Sequence, residues 1–293
     1  MRKPTDAPDR TIGARLKTLT AYLQGKSETP ALDAQTLFAH ILKRPRAWLL
    51  AHPEVHLTAS QLAALEKAIA RLQAGQPLPY ILGEWEFFGL TFEVTPAVLI
   101  PRPETELLVE RALRWLQTHP GRRCAAEVGT GSGCMAVSLA VHTPDLHVFA
   151  TDLSFPALRV ARRNIGRHRV TDRVHTVCGD LLTPFPYTFD LILANLPYIP
   201  STTLRQLEVY RREPTLALDG GPDGLDLIRR LLEQAPRRLA PGGLLLLEIE
   251  ASQGKTAASL AANAFAEAEI HVHPDLAGRD RLLEIRAEGS RGG

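Results

Sequence analysis

The run Cys124-Ala125-Ala126-Glu127-Val128-Gly129-Thr130-Gly131-Ser132-Gly133-Cys134-Met135-Ala136-Val137-Ser138-Leu139-Ala140-Val141 decides the fold. Cys124 to Val128 reads as a short buried strand, Gly129 to Gly133 as a glycine loop, and Cys134 to Val141 as a helix. From Arg123 onward strands and helices alternate, which predicts an α/β domain with a mostly parallel sheet and helices on both faces. Glycines let a backbone turn sharply and approach a ligand at a helix N-terminus. The dinucleotide pattern G-x-G-x-x-G does not fit, because its third glycine falls on Cys134 and the glycine stands at 133. The loop is instead acidic-x-G-x-G-x-G, headed by Glu127.

Working outward, the next strand ends present polar residues in succession. Leu146 to Thr151 leads to Asp152, at an offset where a carboxylate can accept from ribose hydroxyls. Val174 to Val177 leads to Cys178-Gly179-Asp180-Leu181, where Asp180 and its peptide suit an adenine amino edge and Leu181 suits the ring. Asp190 to Ala194 reads as a buried strand leading to Asn195-Leu196-Pro197-Tyr198. Ligands of open α/β sheets collect beyond the carboxyl ends of strands. There the Asn195 amide oxygen and the following carbonyl give two acceptors, stiffened by Pro197, and Tyr198 adds a flat face. Two fixed acceptors suit an NH2 group. A plain turn uses the same residue types, and each Asp alone also suits a helix cap. Four such strand ends in one domain argue against coincidence.

Upstream, Thr11 to about Ala74 shows helical periodicity, as in Ile12, Leu16, Leu19 and Leu23 or Leu62, Leu65, Ile69 and Leu72. Pro30, Pro45, Pro53 and Pro77 mark the gaps, and Thr58-Ala59-Ser60-Gln61 reads as a helix start. Trp85, Phe87 and Phe88, then Phe92 and Val94 after Gly89-Leu90, read as a hairpin. Pro101-Arg102-Pro103 is a stiff segment holding Arg102 extended before Glu104 and Glu106 open a helix. It is either a rigid linker or, with Arg102, a wall of the site. The expected organisation is a helical bundle at 1–75, a hairpin linker at 76–100 and the α/β domain at 101–293.

At 293 residues, 45% hydrophobic and 23% charged, the composition is that of an ordinary globular protein with room for two domains. A net charge of only +2 speaks against a dedicated nucleic-acid surface. Cys124, Cys134 and Cys178 lack metal spacing and suit reduced thiols. Met1 to Arg10 is polar, and no run approaches the ~20 apolar residues of a membrane span. A cytoplasmic protein is expected. His271-x-His273 sets two rings on one strand face without a third ligand, so no metal is expected.

The glycine loop resembles the first motif of S-adenosylmethionine-dependent methyltransferases, whose cofactor is cationic where a dinucleotide is anionic. The whole chain resembles the peptide chain release factor glutamine methyltransferases, the PrmC or HemK family. The likeness is carried by Gly75-Gln76-Pro77-Leu78-Pro79-Tyr80-Ile81-Leu82-Gly83, Glu86-Phe87-Phe88-Gly89-Leu90, Pro101-Arg102-Pro103-Glu104-Thr105-Glu106 and Asn195 to Tyr198. Glu213-Pro214, Asp219 to Leu225, Glu248-Ile249 and Asp275 to Arg281 add to it. Leu196 stands where the family usually has proline, and Glu250 where it commonly has glycine.

The resemblance implies a helical substrate-recognition domain, a β-hairpin linker and a Rossmann-like class I methyltransferase domain with an antiparallel last hairpin. It implies methylation of the Gln side-chain amide in the Gly-Gly-Gln motif of release factors, with S-adenosylmethionine held by Glu127, Gly129, Thr130, Gly131, Ser132, Gly133, Asp152, Asp180, Leu181 and Asn195. Asn195, Leu196, Pro197 and Tyr198 would carry the reaction, with Arg102 beside the substrate. A ribosomal-protein glutamine, or an amino group of nucleic acid, is the alternative acceptor; a regulatory module without catalysis is a third reading. Release factors are the expected partners of a monomer that holds no nucleic acid or membrane.

Overall fold

The computed structural model describes residues 10–289. The polar Met1–Arg10 stretch, but for Arg10, lies outside them. The chain divides into two compact units, Met1–Gly83 and Glu84–Gly293.

In the first unit lie α1 (Ile12–Leu23), α2 (Pro30–Leu42), α3 (Arg46–Ala51), α4 (Ala59–Gln73) and α5 (Leu78–Leu82). Their ends follow from local chemistry. Thr11 accepts from Ala14 N at the start of α1, and Thr58 and Gln61 form a reciprocal capping box on α4. Pro30 is the first residue of α2 rather than part of a gap, a place where its missing N–H costs nothing. Similarly, Pro45 and Pro77 stand immediately before α3 and α5, helices too short to show a period in sequence. Ile12, Leu19, Leu37, Phe38, Leu49 and Leu65 form the core of this unit.

The second unit opens with the hairpin of β1 (Glu84–Phe87) and β2 (Leu90–Glu93). Its two-residue turn, Phe88-Gly89, has positive φ at both positions, as the twist of a tight hairpin requires. Phe88 takes that strained conformation with its N–H donated to Glu106 Oε1 at 2.8 Å. A 3-10 turn, Pro103–Thr105, then leads into α6 (Glu106–Thr118).

There follow β3 (Cys124–Val128), α7 (Cys134–His142), β4 (His147–Asp152), α8 (Phe155–Arg167), β5 (Val174–Cys178), β6 (Phe189–Ala194), α9 (Ser201–Leu204) and α10 (Asp226–Gln234). The chain closes with β7 (Leu239–Glu248), α11 (Gly254–Ala264), β8 (Glu269–Pro274) and β9 (Asp280–Arg286). Seven strands form one sheet in the order β5-β4-β3-β6-β7-β9-β8. The first five run parallel and β9 is antiparallel to both its neighbours.

Alternation along the central strands feeds two cores. Leu191, Leu193, Leu244 and Leu246 pack with Phe87, Leu108, Met135 and Leu139. Ile192, Ala194, Leu245 and Leu247 pack with Ile228, Leu231, Leu283 and Ile285. The chain enters the sheet at β3, moves outward to β4 and β5, and returns to β6 on the other side of β3. That reversal opens a crevice at the carboxyl ends of β3 and β6, where Val128 pairs with Ala194. The residues that follow, Gly129 and Asn195, therefore start side by side.

Candidate active site

A cavity of about 350 Å³ lies at this switch point. It is walled by the Ala97–Arg102 segment, the glycine loop, the ends of β4, β5 and β6, and the Pro214–Ala217 turn. Of the residues singled out in sequence, Arg102, Glu127, Gly129, Thr130, Gly131, Ser132, Asp152, Asp180, Leu181, Asn195, Leu196 and Pro197 line it. Gly133 and Tyr198 stand outside the lining. Gly133 caps α7 in the left-handed conformation, and Tyr198 is turned toward Glu248.

The loop is held from below by β4. Thr151 O accepts from Gly129 N at 2.9 Å and Thr130 N at 2.8 Å, and Asp152 Oδ2 accepts from Gly131 N at 2.8 Å. Asp152 Oδ1 accepts from Ser154 N at 2.8 Å. Burial pushes the Asp152 carboxyl up against these bonds. At Gly129 (φ +74°) a Cβ would meet Leu196 Cδ2 at 3.2 Å, so the loop and the Asn195 segment touch through a glycine.

Glu127 is fully buried beneath the loop. Its Oε2 accepts from the Thr130 hydroxyl and from Ala136 N at 3.2 Å, while Oε1 is buried without a partner among the described residues. Desolvation raises its pKa to about 8. Asp180 is half taken up in an ion pair with Arg230, another lining residue, and Leu181 adopts a left-handed φ of 51°.

At the opposite wall, Asn195 Nδ2 donates to Thr105 Oγ1 at 2.9 Å, and the Thr105 hydroxyl donates to Glu248 Oε2 at 2.6 Å. Tyr198 donates its hydroxyl to Glu248 Oε1 at 3.2 Å. Burial and the neighbouring carboxylate push the Tyr198 phenol well above its ordinary range, so it is not a base at neutral pH. Arg102 ion-pairs with Glu213, whose Oε2 also accepts from Ile100 N at 3.0 Å. Thus Glu213 pins the stiff segment that the sequence marked as a wall.

Thr105, Glu213 and Glu248 were given no chemical role by the sequence reading. Glu248 had a visible signal: it ends the apolar run Leu244 to Leu247, just as Asp152 and Asn195 close theirs. Thr105 and Glu213 stand in motifs that carry the resemblance, but no local pattern shows their roles, since their partners lie 90 or more residues away in the chain. Glu250, at the position where glycine was noted, caps the turn it begins by accepting from Ser252 N at 2.8 Å. His273 Nε2 lies 3.0 Å from Glu284 Oε2 and 2.8 Å from Arg111 Nη2.

The donor set discriminates between cofactors. Glu127 keeps an unpartnered buried oxygen at the cavity, which a cationic ammonium satisfies and an anionic pyrophosphate does not, and Asp152 stands where ribose hydroxyls can donate. Sheet, switch point and this chemistry together define a class I methyltransferase domain.

Comparison with known proteins agrees. Residues 15–83 match the PrmC N-terminal domain model, and residues 104–209 match the methyltransferase small domain model. The chain is 45% identical to the release factor glutamine methyltransferase of Moorella thermoacetica, over 95% of this chain and 98% of that one. It is 42% identical to the namesake of Bordetella pertussis, over 90% of this chain and 98% of that one. Among solved structures, a methyltransferase from Pyrococcus furiosus shares the fold, at 22% identity and a TM-score of 0.50 over 79% of this chain and 100% of that one. The chain belongs to the release factor glutamine methyltransferase family.

Proposed function

We propose that the chain methylates the side-chain amide nitrogen of the glutamine in the Gly-Gly-Gln motif of peptide chain release factors, using S-adenosylmethionine. One observation carries the reading: Asn195 spends its Nδ2 on Thr105, which leaves Oδ1 as a fixed acceptor in the same cavity as the unpartnered Glu127 oxygen. Relatives named release factor glutamine methyltransferase support the choice of substrate.

Glu127, the Gly129–Gly133 loop, Asp152, Asp180 and Leu181 would hold the cofactor, with Asn195 at the boundary between cofactor and substrate. When bound, it supplies an electrophilic methyl group on a cationic sulfur. The protein's part is positioning. An amide nitrogen is a poor nucleophile because its lone pair is delocalised, and no ordinary side-chain base removes its proton at neutral pH. Asn195 Oδ1 and the Leu196 carbonyl accept the two N–H bonds and aim the nitrogen, while Pro197 at the cavity wall bears on the amide plane and Tyr198, outside the lining, braces the segment through its bond to Glu248. The nitrogen sheds its proton to water after alkylation, when it has become strongly acidic. Leu196 in place of the family's proline is compatible with this role, because position 196 contributes a backbone carbonyl.

A pocket for any amide does not choose one glutamine, so partner choice is assigned to the helical segment and the Arg102 wall. The 76–100 stretch serves as linker between recognition and catalysis, and the enzyme acts as a cytoplasmic monomer. The test is transfer of labelled methyl to a purified release factor, to its Gln→Ala variant and to ribosomal RNA or ribosomal protein. Label on the intact factor alone supports the reading; label on RNA or ribosomal protein alone sinks the substrate and keeps the site. Asn195→Ala is expected to lose about 100-fold in turnover at saturating cofactor.

A further inference from the structure

Asn195 can act as an acceptor only if its amide is presented the right way round, since its two ends are nearly the same shape and opposite in polarity. Free rotation of the amide would offer the cavity an NH2 as readily as an oxygen. The surroundings break that symmetry. Thr105 and Glu248 are 3% and 1% exposed, so no bulk water competes for their bonds. A threonine hydroxyl owns one proton, and Thr105 gives it to Glu248 Oε2 at 2.6 Å. Only lone pairs remain toward Asn195, and only the amide N–H end can meet them. The Tyr198 proton is likewise committed, to Glu248 Oε1 at 3.2 Å.

We infer that Glu248 is a positioning residue for the reaction: through Thr105 it sets which end of the Asn195 amide faces the cavity, and through Tyr198 it anchors the ring three residues on. This inference rests on the proposed role of Asn195 as amide acceptor. A carboxylate is the one side chain that accepts at both oxygens and donates at neither, so the polarity of the chain of bonds runs one way only. A glutamine at 248 can turn its NH2 toward Thr105. The Thr105 proton then passes to Asn195, the amide rotates, and a donor faces the cavity where an acceptor is needed. Burial raises the Glu248 carboxyl above its ordinary range, opposed by the hydrogen bond from Thr105, the Arg281 guanidinium and the hydrogen bond from Tyr198; Arg281 is held near by its Nη1 bond to Ile249 O at 3.3 Å.

The experiment compares Thr105→Val, Thr105→Ser, Glu248→Gln and the Thr105→Val/Glu248→Gln pair in the full chain. It reads the single-turnover rate of methyl transfer to the release factor at saturating S-adenosylmethionine, and cofactor affinity by calorimetry. Thr105→Val and Glu248→Gln are each expected to slow transfer by about 100-fold, as a reacting group misplaced by an ångström does. The pair should cost no more than about threefold beyond either single change, because both break one chain of bonds. Thr105→Ser, which restores the hydroxyl, should stay within about threefold of the parent, and cofactor affinity should hold in all four.

Full rate in Thr105→Val, or losses that multiply in the pair, overturns the inference. A substrate-free arm separates it from the substrate reading. The Asn195 side-chain amide protons, identified as the pair of resonances lost in Asn195→Ala, should exchange about tenfold faster in Thr105→Val than in the parent. If the parent methylates no release factor, the substrate reading fails, and this exchange measurement still decides: unchanged exchange overturns the positioning role.

Discussion

Glu127 carries a conflict between stability and binding. Its folded pKa, about 8, lies above the ordinary 4.5, so the fold favours the protonated carboxyl. That favourable contribution is complete below about pH 4.5 and is lost as pH rises through about 8. Glu127→Gln imitates the protonated form: its amide oxygen keeps the bonds from Thr130 and Ala136, and its NH2 replaces the orphaned oxygen. The variant should therefore match the parent's stability near pH 4 and exceed it by on the order of 5 kcal/mol above pH 8, in urea unfolding of cofactor-free protein. Its affinity for S-adenosylmethionine should fall at least tenfold by calorimetry, because the charge facing the cofactor's ammonium is gone. Equal stability at both pH values would refute the account of the buried carboxylate. Arg102 shows the same scale from the other side: the sequence gives it a cation facing substrate, whereas its pair with Glu213 commits part of the guanidinium to holding the wall.

At the scale of elements, the site is a set of strand ends tied by loops that tolerate no bulk. The loop at 218–225 packs on the segment at 195–199, with Gly220 N donating to Ile199 O at 2.9 Å, Ile199 N donating to Leu218 O at 3.1 Å, and a Cβ on Gly220 falling 2.7 Å from Pro197 O. A Cβ on Gly224 (φ +80°) would stand 2.1 Å from Tyr198 O and 2.6 Å from Gln253 Nε2. Gly224→Ala is expected to cost roughly 1–3 kcal/mol through strain and overpacking, and to lower turnover more than cofactor affinity, since the loop bears on the acceptor segment. Unfolding and kinetics of that variant decide it. Asn164 is the comparable tie on the other side. Its Oδ1 accepts from Glu93 N at 2.7 Å, and its Nδ2 donates to Glu93 O at 3.0 Å and Ser132 O at 2.8 Å, fastening the hairpin to α8 and to the glycine loop. Asn164→Ala strands those backbone groups in a buried place, and a loss of about 2–3 kcal/mol is expected in chemical denaturation.

For the whole molecule, the two units hold separate apolar cores, and every residue lining the cavity belongs to Glu84–Gly293. In scanning calorimetry, S-adenosylhomocysteine at a hundredfold excess over its Kd should stabilise the transition of that unit by about 2.7 kcal/mol and leave a transition of the helical unit in place. A uniform shift of all unfolding would refute the assignment of the ligand to one unit. Among the described residues no helix is long and apolar enough to cross a membrane. What the sequence determined by itself was whatever depends on near neighbours: the α/β alternation, the capping box at Thr58, the glycine loop and the polar residues at the ends of β4, β5 and β6. Period, turn chemistry and strand ends are written within a few residues of one another. The strand order, the switch point between β3 and β6, and the bonds from Thr105 to Glu248 and from Glu213 to Arg102 were decided only by tertiary structure. A hydrogen bond reads distance in space, and 143 residues of chain separate Thr105 from Glu248, so no local pattern could show that one sets the direction of the other's proton.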